Sequence, residues 1–290
     1  MLEHTIFQID IHQVLRTKAP GLYKKIPDFL IDAFMKFICL DQLNAFLKEN
    51  HGLTGVDLME EFLKKLNVTF QVKGEENLPA PGTRCVFASN HPLGGLDGVC
   101  LSVLLGRRYD KHIRYLVNDI LYFIEPLQNI FVPINKHGLQ GKAAAIAVNE
   151  SFASENQIIT FPAGLCSRKI KKIVTDTEWK KMFITKSMEH NRDIVPVYFE
   201  AKNSKLFYRV ANLRKKLHIK INIEMLLLPR EMFKAGNSTF TIYIGKAIPR
   251  KTFDFSRTAQ QWADWVKKEV YCTINNKPTL KNHGRNNLEN

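Results

Sequence analysis

The sequence predicts an α/β fold: a mainly parallel central sheet flanked by helices, with an N-terminal helical extension. Three observations carry that expectation. Over residues 67–273, short apolar runs alternate with stretches of helical period, the order that builds parallel βαβ units. One of these runs, Arg84-Cys-Val-Phe-Ala-Ser89, opens directly onto a Gly-Gly turn at residues 90–98, as a loop leaving the carboxyl end of a strand does. The two periodic stretches ahead of residue 67 are both helical.

Taken in order, residues 26–48 read as an amphipathic helix with Ile26, Phe29, Leu30, Ala33, Phe34, Phe37 and Ile38 on one face. Packing on its own domain is the commoner role for such a stripe, and four phenylalanines between residues 29 and 46 weigh toward the alternative, an interfacial helix resting among lipid headgroups. A second helix spans about 56–66, and Val68-Thr-Phe-Gln-Val-Lys73 alternates as a strand closed by Gly74, Pro79 and Pro81. Further strands are expected at 84–89, 113–117, 130–134, 157–161, 193–200 and 239–244. Helices are expected at 97–106, 140–153, 177–189, 204–216 and 257–270. Asp97 is placed to cap the first of these, and Thr175 with Glu178 forms a capping box for the third. The domain organisation follows as an extension over 1–66, a catalytic-sized domain over 67–273 and a polar tail over 274–290 expected to be disordered.

With 45% hydrophobic and 24% charged residues, a chain of 290 residues buries a sizeable core. No apolar run approaches the ~18–20 residues a membrane-spanning helix needs, and the first residues lack a signal-peptide pattern, so the expectation is an unprocessed cytosolic chain. The five cysteines show no Cys-x-x-Cys spacing, which argues against disulfides and structural zinc. The net charge of +14 calls for an anionic partner. Nucleic-acid signatures are absent and the lysines are dispersed, so the expected partners are an anionic membrane surface and an acidic acyl carrier protein, not nucleic acid.

The chemistry concentrates in His91 and Asp97, on either side of Gly94-Gly95. A histidine whose tautomer is fixed by a carboxylate takes a proton from a hydroxyl near neutral pH while the carboxylate compensates the imidazolium. Cys166, beside Arg168, is weighed as a nucleophile and set below a packing role. The chain has no Gly-x-Ser-x-Gly elbow, no His-Glu-x-x-His and no complete phosphate loop, which leaves hydrolase, metalloenzyme and nucleotide-dependent readings weak.

Three further blocks follow in order: Phe131-Val-Pro-Ile-Asn-Lys136, Phe161-Pro-Ala-Gly-Leu-Cys-Ser-Arg168 and Ile194-Val-Pro-Val197. Together with Asn90-His91 and Asp97 they resemble the blocks of the glycerolipid and lysophospholipid acyltransferases, of the 1-acylglycerol-3-phosphate acyltransferase type, over about residues 67–250. The His-Pro-x-Gly-Gly-x-Asp-Gly and Phe-Pro-Ala-Gly forms look most like the hemolysin-like branch, which includes O-acyltransferases that complete ornithine- and glycine-type amino lipids. Two departures stand out: five residues, not four, separate His91 from Asp97, and Ala163 replaces the glutamate of the Phe-Pro-Glu-Gly block. The resemblance implies an α/β acyltransferase, peripheral on the cytoplasmic face of a membrane. It would move an acyl group from acyl carrier protein or coenzyme A to the hydroxyl of a lysolipid.

In that reading His91 is the general base and Asp97 its orienting group. Arg168 and Lys136 bind the acceptor's anion, and Asn90, Ser167 and Gly164 join them as substrate-binding residues. Backbone N–H groups of the Gly94-Gly95 or the Ala163-Gly164 turn face the oxyanion. No metal or bound cofactor is implied. A lysophosphatidic-acid-like acceptor is the first expectation and a lyso-amino lipid the alternative; a non-catalytic lipid-binding protein on the same scaffold is the rival from another class.

Overall fold

The computed structural model describes residues 9, 10, 12, 16, 20–24, 26–117, 124–134, 139–219 and 222–273. Its strands in chain order are β1 (Thr69–Lys73), β2 (Cys85–Ser89), β3 (Ile113–Val117), β4 (Phe131–Pro133), β5 (Gln157–Thr160), β6 (Arg168–Ile170), β7 (Ile173–Thr175), β8 (Asp193–Glu200) and β9 (Thr239–Ile244). Seven of them form one sheet in the order β1-β9-β8-β2-β5-β3-β4, while β6 and β7 make a separate hairpin. Every neighbouring pair of the large sheet is parallel except β8 with β9. The sheet is therefore mainly parallel, as the alternation of strands and helices predicts.

Beyond a single helical turn at Pro20–Tyr23, the helices are α1 (Asp28–Phe37), α2 (Leu40–Glu49), α3 (Gly55–Leu66), α4 (Leu96–Arg108), α5 (Leu139–Ala153), α6 (Met182–Glu189), α7 (Lys205–Lys216), α8 (Leu228–Lys234) and α9 (Ala259–Cys272). They cover both faces of the sheet, and the alternation along β2 shows how. Cys85 and Phe87 join the cluster beneath α3 and α4, whereas Val86 and Ala88 join the cluster beneath α5, α6 and α9. A strand buried on both faces reads as a continuous apolar run, which is why Cys85–Ser89 stands out in the sequence.

Several local expectations are corrected. The stretch 26–48 is two helices, broken where Cys39 adopts a left-handed conformation at φ 60°. Its expected apolar face is largely turned outward: Phe29, Leu30 and Phe37 are exposed, and Ile31, outside that face, is buried together with Ile38. The third helix of the domain begins at Met182, not at 177, because Thr175 closes β7 and residues 176–180 form no helical turn. No capping box forms there. One does form at α9, where Gln261 Oε1 accepts from the Thr258 N–H at 2.8 Å and Thr258 Oγ1 accepts from the Gln261 N–H. The expected division at 66 does not separate two cores, since Val56, Met59, Phe62 and Leu66 of α3 belong to the same cluster as β2 and α4. Gly106 permits that closeness, because a Cβ there would lie 2.6 Å from Val56 Cγ1. The tail from 274 lies outside the described residues.

Arg192 ties together the amino ends of the central strands β2, β5 and β8. Its fully buried guanidinium donates to the carbonyls of Phe152 at 2.7 Å, Asn156 at 2.8 Å and Ser154, and burial lowers its pKa to about 10.

Candidate active site

The carboxyl ends of β2 and β5, adjacent and parallel, bring the first and third sequence blocks together. From β2 the chain passes through Asn90 into the loop 91–95, and from β5 through Phe161 into the turn before Arg168. Asn90 fixes the exit from β2, since its side-chain amide donates to the Phe199 carbonyl at 3.1 Å and accepts from the Phe199 N–H at 2.7 Å. On the far side of the loop, Asn203 donates to the carbonyls of Pro92 and Leu93 at 3.2 and 3.3 Å. The first half of the loop is thus pinned from two sides before any contact of its own.

Within it, His91 Nδ1 lies 3.0 Å from Asp97 Oδ2. The same oxygen accepts the backbone N–H groups of Leu93 at 2.9 Å and Gly94 at 3.4 Å, and Oδ1 accepts that of Gly98 at 2.9 Å. Asp97 is therefore not the cap of α4. It sits inside the first helical turn, fully buried, with Gly95 at the cap position. Burial favours its neutral form, but the His91 charge and hydrogen bond, with the Leu93 and Gly98 amides, outweigh this and hold its pKa below the usual carboxylate value. In the loop between His91 and Asp97, Gly94 has a φ of 76°, the left-handed region that suits glycine. A Cβ at that position would also stand 2.8 Å from Cys166 Cβ.

His91 is stacked on Phe161, with ring centroids 3.8 Å apart and planes 19° from parallel. Tyr115 also packs against Phe161, with ring centroids 5.8 Å apart, and donates its hydroxyl to the Gly98 carbonyl at 3.1 Å. The imidazole is thus oriented by a carboxylate at Nδ1 and by a ring against its face. Among the described residues nothing hydrogen-bonds Nε2, the nitrogen that such an arrangement leaves for a substrate proton.

The third block is fastened to this loop through Asp176. Ser167 N–H donates to the His91 carbonyl at 2.7 Å, and Ser167 Oγ donates to Asp176 Oδ1 at 2.5 Å. Asp176 also accepts the His91 N–H at 3.2 Å and Trp179 Nε1–H at 2.9 Å. Burial raises its pKa despite these donors, which pull it down. From α9, Lys267 donates to the Asp176 and Thr177 carbonyls and the Tyr271 hydroxyl accepts the Asp176 N–H, so the segment is held on both sides.

The residues expected to bind substrate fall into different classes. Asn90 and Ser167 are buried, and their polar atoms are engaged inside the protein; they position the two loops instead of facing an acceptor. Gly94 N–H points to Asp97, and the Gly164 N–H closes a turn onto the Phe161 carbonyl at 2.9 Å, so neither of these amides is aimed outward. Gly95 is part-exposed at the start of α4. Lys136 lies outside the described residues. Cys166 is fully buried and burial pushes its thiol up to about 12, which removes it as a nucleophile.

Arg168 is held by its neighbours. Its Nη1 donates to the Cys166 carbonyl at 2.6 Å and to Cys166 Sγ at 3.0 Å, and its Nη2 donates to Glu224 Oε1 at 2.7 Å. Phe161, Asp176 and Glu224 were not singled out as site residues from sequence. Phe161 opens a recognised block, and Glu224 is the lone acid in the apolar run Ile223–Leu228, a pattern that signals a buried charge partner. Asp176 carries no local signal.

The arrangement offers a base with an oriented, compensated imidazole, which is what proton removal from a hydroxyl requires. A chain from Phocaeicola vulgatus named lyso-glycine lipid O-acyltransferase is 48% identical over 271 residues, covering 93% of this chain and 97% of its own. One of the same name from Bacteroides thetaiotaomicron is 49% identical, covering 93% and 99%. The crystal structure of the 1-acyl-sn-glycerophosphate (LPA) acyltransferase PlsC from Thermotoga maritima superposes with a TM-score of 0.47 at 15% identity over 84% of this chain and 88% of that one. At that distance nothing is carried over from it. The sequence profile of the acyltransferase family matches residues 13–279, nearly the whole chain and all of the site just described, and with those two relatives it places this enzyme in the acyltransferase family.

Proposed function

We propose that the enzyme O-acylates a lyso-amino lipid, with a lyso-glycine lipid as the acceptor. The observation that supports this most is near-half identity, over almost all of both chains, to two proteins named for that activity. The relatives favour this acceptor over the lysophosphatidic one that the sequence blocks put first.

In the proposed mechanism His91 Nε2 takes the proton of the acceptor hydroxyl as its oxygen attacks the carbonyl carbon of an acyl thioester. Asp97 stabilises the imidazolium that forms, at 3.0 Å from Nδ1. Collapse of the tetrahedral intermediate breaks the C–S bond, and the proton held by His91 passes to the departing thiolate. The thioester is carried by acyl carrier protein or coenzyme A, both anionic, which suits a chain of net charge +14.

The same proposal places the enzyme peripherally on the cytoplasmic face of a membrane. No helix among the described residues is long and apolar enough to cross one. Exposed Phe29 and Phe37 of α1, Leu213 of α7 with Leu217 just after it, and Ile170 and Ile173 of the β6–β7 hairpin support contact with lipid. One buried cluster, with Ile38, Phe207 and Leu227, joins these elements to Cys166, next to Arg168. Exposed Lys171, Lys172, Lys215 and Lys216 lie among the same elements and suit an anionic surface.

The test is competition between lyso-glycine lipid and lysophosphatidic acid of equal chain length for one labelled thioester donor. Preferential esterification of the glycine lipid is expected. Exclusive esterification of the phosphate acceptor would return the reading to a lysophosphatidic acyltransferase.

A further inference from the structure

We infer that Glu224 is a specificity-determining residue: by neutralising one of two arginines beside the catalytic loop, it lowers the local positive charge and so weakens the pull on a phosphomonoester more than the pull on a singly charged carboxylate headgroup. This rests on the lyso-amino-lipid reading above.

Glu224 is fully buried in the turn Ile223–Leu227, far in sequence from every recognised block. Its Oε1 accepts from Arg168 Nη2 at 2.7 Å, and Arg214 Nε stands 2.9 Å from Oε2 but off the line of a hydrogen bond. The two arginine side chains are 12% and 17% exposed, so each keeps an edge toward solvent while the carboxylate keeps none. Two guanidinium charges against one carboxylate leave a net charge of +1.

That charge sits beside the reacting groups. Arg168 follows Ser167, whose N–H is bonded to the His91 carbonyl at 2.7 Å, and its guanidinium grips the backbone and thiol of Cys166, which packs against Gly94. An acceptor whose hydroxyl reaches His91 would bring its headgroup toward this corner. A carboxylate carries one charge and a phosphomonoester about −1.5 to −2 at neutral pH. The attraction scales with the product of the charges, so any change in the charge of the triad acts more strongly on the phosphate than on the carboxylate.

The proposal therefore makes opposite predictions for two substitutions. Glu224→Gln leaves a local charge of +2, and Arg214→Met leaves zero. The experiment measures kcat/KM for matched lysophosphatidic acid and lyso-glycine lipid with one donor, in wild type and both variants, with thermal melts to establish folding. The phosphate-to-glycine ratio is expected to rise about tenfold in Glu224→Gln and to fall in Arg214→Met. Loss of a purely structural brace would lower both acceptors by one factor and leave the ratio unmoved, which overturns the inference while the acceptor reading stands. If wild type fails to acylate the glycine lipid, that reading falls and this inference with it. Should Glu224→Gln fail to fold, with two part-buried arginines left uncompensated, the direction of the shift in Arg214→Met decides the question.

Discussion

Asp97 accepts His91 and the amides of Leu93, Gly94 and Gly98, so one carboxylate both orients the imidazole and shapes the loop that carries it. Its folded-state pKa lies below its unfolded one. The unfolded chain therefore binds the proton more readily, and the stability from this group is present above the unfolded value, about 4, and lost as pH falls through the folded value. Asp97→Asn is expected to lower stability at neutral pH by about 2 kcal/mol and to flatten the acid limb of the stability curve. Thermal melts from pH 7 to pH 3 check this; an acid limb as steep as in wild type would assign the effect to other carboxylates. Asp176 has the opposite sign, since its raised pKa adds stability that is complete below the unfolded value and lost as pH rises through the folded one. His91 and Asp97 were legible in sequence because the chemistry and the turn lie within one loop. Asp176 was not, because it stands 85 residues from His91 and is brought there by the chain's path alone.

The β6–β7 hairpin was invisible to the sequence reading because its strands are three residues each and its turn has none of the usual residues. Lys171 and Lys172 link the paired Ile170 and Ile173 with φ of 46° and 72°, the left-handed conformations of a two-residue turn that Asn-Gly normally fills. Each lysine holds that conformation at a cost of roughly 1 kcal/mol. Replacing the pair by Asn-Gly is expected to raise Tm by about 2–4 °C. If the hairpin meets an anionic membrane, the same variant loses vesicle affinity by about tenfold or more, at ~1 kcal/mol for each lysine removed. A higher Tm with unchanged binding to phosphatidylserine-containing vesicles would place the hairpin away from the lipid surface. The long amphipathic helix failed for a related reason. Periodicity alone cannot see the left-handed Cys39 that splits it, nor decide that Phe29 and Phe37 face outward.

Across the whole molecule, the seven-stranded sheet was legible strand by strand, its central strands as continuous apolar runs and β1 by its alternation, but its order was not. That order places β2 beside both β5 and β8. As a result, two blocks 70 residues apart, at His91 and Phe161, stack ring on ring at the carboxyl end of the sheet. The antiparallel β8–β9 pair and the buried Glu224 arose from the same long-range packing, which local pattern does not record.

The central claim is that this framework makes His91 the base for acyl transfer to a lyso-amino lipid. The most direct test is mass spectrometry of the product formed from lyso-glycine lipid and an acyl thioester by wild type and by folded His91→Ala. The account predicts an O-acylated glycine lipid from wild type and a rate lower by about 10³-fold in the variant. Equal product from both proteins would contradict it.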